Sequence, residues 1–232
     1  EAERCWGEGE GGGPGLIARM MPGGQEEEDL DVEEEEEAWE VSSGGKSRRR
    51  TLRLEEERSS AIKDMDFRNA MSFYTSERQG GSVVDIGCGD GFFARRLARS
   101  GRFENVYGLD RSYDKLDACR SIAQLEGIRA DELSLVHGDA EAMPFADGQI
   151  DYVTWSMMMH LLPDVRPSLE EIARILRPGV GRLYATSYTK APGIRDQEDL
   201  EQMATAAGLT SIAVSPANAG VRFVLQAARS GA

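Results

Sequence analysis

The stretch VVDIGCGDG, residues 83–91, decides how the rest of the chain is read. Its start (Val83, Val84, Ile86) is apolar and β-branched, which suits a strand covered on both faces. Gly87, Gly89 and Gly91 follow at alternate positions. They permit a sharp turn and let a ligand approach bare backbone. FFARRLARS comes next and reads as a helix. The turn therefore presents its N–H groups and a helix N-terminus to whatever lies above the strand. Strand, glycine turn and helix together form a nucleotide cradle.

Spacing separates two kinds of cradle. A dinucleotide site requires G-x-G-x-x-G, whose third glycine allows close helix–strand packing. Here the spacing is G-x-G-x-G, and Phe92 stands at the third dinucleotide position, too large for that contact. Asp85 at the strand end would repel a pyrophosphate and suits a ligand carrying positive charge. The stretch resembles motif I of the class I S-adenosylmethionine-dependent methyltransferases, hydrophobic-hydrophobic-D-hydrophobic-G-x-G-x-G. S-adenosylmethionine carries an ammonium and a sulfonium and has no phosphate. The competing reading is a glycine turn that binds nothing.

At 232 residues the chain is long enough for one good-sized domain with additions. Its net charge of −14 is uneven. About 18 of its 41 acidic side chains lie in residues 1–58, against about eight basic ones, so most of the excess sits in the head. That head alternates glycine runs with blocks such as Glu33–Glu37 and offers few apolar anchors to offset ordering entropy. It is expected to be a disordered acidic head and linker over 1–58, a solvated tail or a site for an unknown protein partner. GGKSRRR (44–50) is not a P-loop, because Glu40 stands where the first glycine would be. It reads as a linker that offsets the acidic run.

Cys5, Cys88 and Cys119 form no C-x-x-C pair, which points to an intracellular, reducing compartment. The two histidines, His137 and His160, cannot build a His-rich metal site, and no metal is expected. No apolar run approaches the ~18 residues of a membrane span. Nothing points to nucleic acid. The chain begins with Glu1 rather than Met, so it is read as a processed form, a fragment or an incomplete gene model.

From about Arg58 to Arg78 the pattern is helical, with Ile62, Met65, Phe73 and Tyr74 near helix spacing. Beyond it strands and helices alternate, the pattern of a doubly wound sheet. Strands are expected near 83–86, 105–109, 133–136, 150–155, 182–187, 210–214 and 222–227. Helices are expected near 92–100, 112–126, 165–176 and 196–207. The last two strands have no helix between them, so one strand is expected to run antiparallel. The fold class is α/β: a Rossmann-like, doubly wound, seven-stranded sheet, mostly parallel, in a domain spanning 59–232.

Further motifs extend the resemblance. Asp110 in GLDRS lies about 19 residues after Gly91, near the spacing at which an acid accepts both ribose hydroxyls. The alternative is an acid at the start of the next helix. In HGDAEAMPF the resemblance implies that Asp139 and the Ala140 N–H hold adenine. IDYVTWSMMMHLLPD followed by SLEEIARILRPG is similar to the family pattern in Asp151, His160, Asp164, Arg174, Leu176, Pro178 and Gly179. Leu161 replaces the usual second histidine and Val180 interrupts the usual Gly-Gly. The cofactor contacts implied are Asp85, Gly87, Cys88, Gly89, Gly91, Asp110, Arg111, Asp139, Ala140 and Ser156. His160 is a candidate general base, since its ordinary pKa is near neutral. A lone histidine behind three methionines is more often a packed or capping residue than a base.

Within the superfamily the chain resembles the ubiquinone/menaquinone-biosynthesis (UbiE-like, methyltransferase type 11) group. It is similar to plastid methyltransferases of plants and algae. The resemblance implies an S-adenosylmethionine-dependent methyltransferase of cytoplasm or plastid, acting on a small phenolic, quinone-like or carboxylate acceptor. The rival from another class is a non-catalytic adapter of the same fold working through its acidic tail. Between Tyr188 and Asp196 only TKAPGIR intervenes, too short for a covering helix. The candidates for covering an acceptor are therefore the 58–78 helix and this short loop, and turnover on small free acceptors is expected to be weak.

Overall fold

The computed structural model describes residues 43–75, 80–189, 191–217 and 222–231. The expected disordered head lies outside the described residues as far as residue 42. Helix α1 spans Ser43–Thr75. It therefore starts well ahead of the expected 58, and it takes in GGKSRRR, which was expected to be a linker. After Gly45 this stretch is rich in Arg, Leu and Glu, which are strong helix formers, and it contains no proline. It lacks an apolar stripe, the signal by which a helix is recognised in sequence.

The elements that follow are β1 (Ser82–Ile86), α2 (Phe92–Arg99), β2 (Asn105–Asp110), α3 (Tyr113–Leu125), β3 (Ser134–His137), β4 (Tyr152–Ser156), α4 (Arg166–Ile175), β5 (Arg182–Tyr188), α5 (Gln197–Ala206), β6 (Leu209–Ala217) and β7 (Arg222–Arg229). All were expected in this order, and their ends move by no more than three residues. A 3-10 turn at Met159–Leu161 was not expected. The strands form one seven-stranded sheet in the order β3-β2-β1-β4-β5-β7-β6. β7 is antiparallel to both its neighbours, and the other pairings are parallel. Only four residues separate β6 from β7, too few for the crossover that a parallel return needs.

Alternation along each strand feeds two cores. Val84, Ile86, Val153, Trp155, Leu183 and Ala185 face α4 and α5, where Leu169, Ile172, Ile175 and Leu200 complete one cluster. Val83, Val106, Tyr152 and Tyr184 face the other way, against Ala70 and Tyr74 of α1 and Phe93, Leu97, Leu116 and Cys119 of α2 and α3. Both faces are covered, which explains the near-continuous apolar strands.

The buried side of α1 is carried by Asp66, Ala70 and Tyr74, four residues apart on one helix face. Tyr74 fastens it to the sheet. Its hydroxyl donates to the Val153 carbonyl at 2.6 Å and lies 3.1 Å from Thr154 Oγ1. Burial pushes the phenol well above its ordinary pKa, so it stays a neutral donor. Tyr74→Phe is expected to cost about 1–2 kcal/mol, the loss of a buried hydrogen bond with its acceptors left in place. Urea unfolding checks this. An unchanged midpoint would show that the hydroxyl does not hold α1 to the sheet.

Candidate functional site

From β1 the chain moves outward to β2 and β3, then returns to β4 on the other side. The carboxyl ends of β1 and β4 thus border the switch point where α/β sheets bind ligands. A cavity of about 340 Å³ lies there. Gly87, Gly89, Asp110, Arg111, Asp139 and Ala140 line it, six of the ten expected cofactor contacts.

Asp110 organises the cavity. Its Oδ2 accepts from the Gly89 N–H and its Oδ1 from the Ser112 N–H, each at 2.9 Å. The acid thus ties the glycine turn after β1 to the end of β2 and the start of α3. A carboxylate has about four acceptor sites, so two bonds leave room for a ligand's paired hydroxyls. Gly89 has φ +56°, and a Cβ there would meet no protein atom within 4 Å. Its bare face is open to the cavity. Gly87 differs, since a Cβ there would fall 2.4 Å from the Met158 side chain. Asp139 is exposed, with Oδ1 accepting from the Glu141 N–H at 3.0 Å. Ala140 is buried beside it.

The other expected residues stand outside the lining. Asp85 is buried beneath the turn, where its Oδ2 accepts from the Ala94 N–H at 3.1 Å. Burial pushes its carboxyl well above the ordinary carboxylate range, and the Ala94 bond pulls it back only in part. The acid expected to meet a cation directly thus braces the first turn of α2. Cys88 packs with Cys119 in the core formed by α1, α2 and α3; the neighbouring Cys119 thiol and burial push its own thiol up. Gly91 makes room for that thiol, as a Cβ would lie 2.2 Å from Cys119 Sγ. Ser156 Oγ lies 3.1 Å from Thr186 Oγ1. His160 sits on the 3-10 turn, edge-on to Tyr188 with ring centroids 4.9 Å apart. Burial lowers its pKa, which keeps the ring neutral near pH 7.

Sequence reasoning missed the cavity's apolar side: Met157, Met158, Leu161 and Leu162. Met157 has φ +56°, costly for a residue with a side chain and typical of functional sites. Its N–H is fixed by the Thr186 carbonyl at 2.8 Å. The run SMMMH was the available signal, but runs of methionine usually mark plain core. Ser112 and Lys115 also border the cavity. Arg174 has a structural role: it donates to the Met143 and Phe145 carbonyls, to Asp147 and to Glu171. Glu171 in turn accepts from the Met143 N–H at 2.8 Å. This knot fixes the segment that follows Asp139 and Ala140. Among the described residues no group of three or more His, Cys, Asp or Glu is placed to hold a metal, and no helix is long and apolar enough to cross a membrane.

Residues 84–185 match the family described as a methyltransferase domain. A chloroplastic methyltransferase of Arabidopsis thaliana, itself called uncharacterised, is 31% identical over 129 residues, 55% of this chain and 36% of that one. A fatty-acid O-methyltransferase of Mycolicibacterium smegmatis is 39% identical over 46% of this chain and 37% of its own length. A demethylmenaquinone methyltransferase of Bacillus licheniformis is 34% identical over 44% and 42%. The matches thus span well under half the length of these relatives. Among solved structures, a phosphoethanolamine N-methyltransferase of Haemonchus contortus, in complex with phosphomonomethylethanolamine and S-adenosylhomocysteine, superposes with a TM-score of 0.63 at 16% identity. It covers 71% of this chain and 52% of that one, and so shares the fold.

Because a Cβ at Gly89 meets no protein atom, Gly89→Val is expected to spare the fold apart from ~1–3 kcal/mol of backbone strain, while filling the space a ligand would take. Circular dichroism should be unchanged and S-adenosylhomocysteine binding lost. Retained binding would mean that this turn is not the cradle.

Proposed function

We infer that this chain, whose residues 84–185 match a methyltransferase-domain family, binds S-adenosylmethionine above Gly89 and transfers its methyl group to a small-molecule acceptor. One observation carries this reading. A carboxylate held by two backbone N–H groups, that of Asp110, shares a cavity with the unobstructed backbone of Gly89. Phe92, packed against Phe93 and under the Arg96 guanidinium, occupies the place where a dinucleotide site needs a glycine.

The cofactor supplies an electrophilic methyl on a sulfonium. The chain's residues bind and orient. Asp110 takes the ribose hydroxyls, Asp139 and the Ala140 N–H take the adenine, and Met157, Met158, Leu161 and Leu162 supply an apolar wall that limits water. Orientation is the main contribution, since a positioned in-line attack avoids the entropy of encounter. No base is assigned. His160 is turned against Tyr188, and a base is needed only for an acceptor that must lose a proton. Names of the relatives favour an acceptor with an acidic or quinone-like group on an apolar body. They also favour a plastid setting.

Arg111 and Lys115 border the same cavity, so phosphate-bearing ligands belong in the test. Isothermal titration with S-adenosylhomocysteine, NAD and NADP is expected to give binding of the first alone. Asp110→Ala should weaken it by about 1–3 kcal/mol, the worth of hydrogen bonds to a charged group. Tight binding of NAD or NADP, or an unchanged affinity in the Asp110 variant, would refute the reading.

A further inference from the structure

Arg222 opens β7 and pairs in register with Tyr188 at the end of β5. Because β7 runs backwards, its first residue lies at the carboxyl edge of the sheet, the edge that carries Gly87, Gly89 and Asp110. The Arg222 side chain is only 3% exposed. Its Nη2 donates to Asp66 Oδ2 on α1 at 2.5 Å and lies 3.2 Å from Met157 Sδ. Met157 also lines the cofactor cavity. One residue, Met157, therefore borders the cavity and touches the guanidinium through its sulfur.

The pair is incomplete. Arg222 Nε and Nη1 and Asp66 Oδ1 are buried with no hydrogen-bond partner among the described residues. Arginine and carboxylate usually meet in a two-pronged fork. Here they share a single bond, although both are fully desolvated. Buried ions recover their desolvation cost only when the remaining donors and acceptors are met, and an apolar pair is often as stable or more so. A buried guanidinium with two idle nitrogens therefore calls for a ligand. Both forked edges of a guanidinium include Nη2, the nitrogen that Asp66 holds. Nη2 carries two N–H groups and Asp66 takes one of them, so a ligand carboxylate forked onto the other edge would sit against Asp66 across a single positive charge and favour its departure. Burial pushes the Asp66 carboxyl above its ordinary range, against the pull of Arg222.

We propose that Arg222 binds the methyl acceptor, that the acceptor is a monocarboxylate on an apolar body, and that Asp66 holds the place of its carboxylate until it arrives. This rests on the methyl-transfer reading above. The apolar body suits the wall of Met157, Met158, Leu161 and Leu162. Arg222 holds the acid while one carboxylate oxygen forms the new bond to the methyl carbon. The carbon–sulfur bond breaks with its electron pair staying on sulfur, giving a methyl ester and a neutral thioether. No proton moves, so the chemistry needs no base. Asp66 rides on α1, so acceptor entry displaces the buried face of that helix.

The test is isothermal titration of the full chain, with and without S-adenosylhomocysteine, using octanoate, palmitate and benzoate against 1-octanol and octylamine. At least one acid is expected to bind, and the alcohol and amine are not. Arg222→Gln should weaken that acid about 10–100-fold, as expected for lost charge-assisted bonds, and leave S-adenosylhomocysteine affinity unchanged. Asp66→Asn should tighten the acid. Where a single variant fails to fold, the double variant Asp66→Leu with Arg222→Met removes both charges and is expected to fold. It should lose the acid and keep S-adenosylhomocysteine. Binding of no acid, equal binding of the alcohol, or full acid affinity in an Arg222 variant would overturn the proposal. Absence of S-adenosylhomocysteine binding by the native chain would refute the methyl-transfer reading instead, and the titrations distinguish the two.

Discussion

Every residue of β1 is buried, and the strands on either side of it run in its own direction. A strand in that position has no solvated face and no free edge, so it tolerates almost nothing polar. Its one acid, Asp85, is accommodated because the Ala94 N–H at the start of α2 points at it. That bond braces the first turn of α2 against the end of the strand. Gly87, Gly89 and Gly91 must then connect a rigid strand to a rigid helix within a few residues. The cavity exists because that connection stays bare.

The second constraint is the grip of Asp110 on Gly89 and Ser112. It joins the ends of two adjacent parallel strands through one side chain. The turn is therefore pre-formed before any ligand arrives, which lowers the ordering cost of binding. The Arg174 knot does the same for the segment after Asp139, from the opposite side of the sheet. Two separate anchors hold the cavity's polar rim. Its apolar wall is a run of methionines, whose unbranched side chains adapt to what they cover.

Helix α1 packs on the face of the sheet opposite α4 and α5. At one end of its described side chains it is bolted by Tyr74, a neutral donor with two oxygen partners. Toward the other it is held by Asp66 and Arg222, a charged contact with atoms left over. The first contact is satisfied and the second is not. A helix fixed at one point and loosely charged at another is suited to admit an acceptor at the loose end. That matches the short connection from β5 to α5, which provides no covering helix of its own.

Strand count, element order and the reversal of β7 were legible in the chain, because alternating burial and the missing β6–β7 crossover are local patterns. So was the glycine turn with Asp110 near it, since backbone conformation and spacing place them at the ends of adjacent strands, whereas Asp139 and Ala140 were named only through the family resemblance. The reach of α1 back to Ser43 was not legible, because a helix with no apolar stripe looks like a linker. Nor was the difference between Gly89, open to the cavity, and Gly91, filled by Cys119, since both are the same letter in the same motif. Asp85 shows the limit most clearly: its position was readable, but only the fold decided that its carboxylate would brace α2 rather than face the cavity. Asp66 and Arg222 stand 156 positions apart. No periodicity or motif links them, and they meet only because an antiparallel last strand carries Arg222 to the carboxyl edge beneath the first helix.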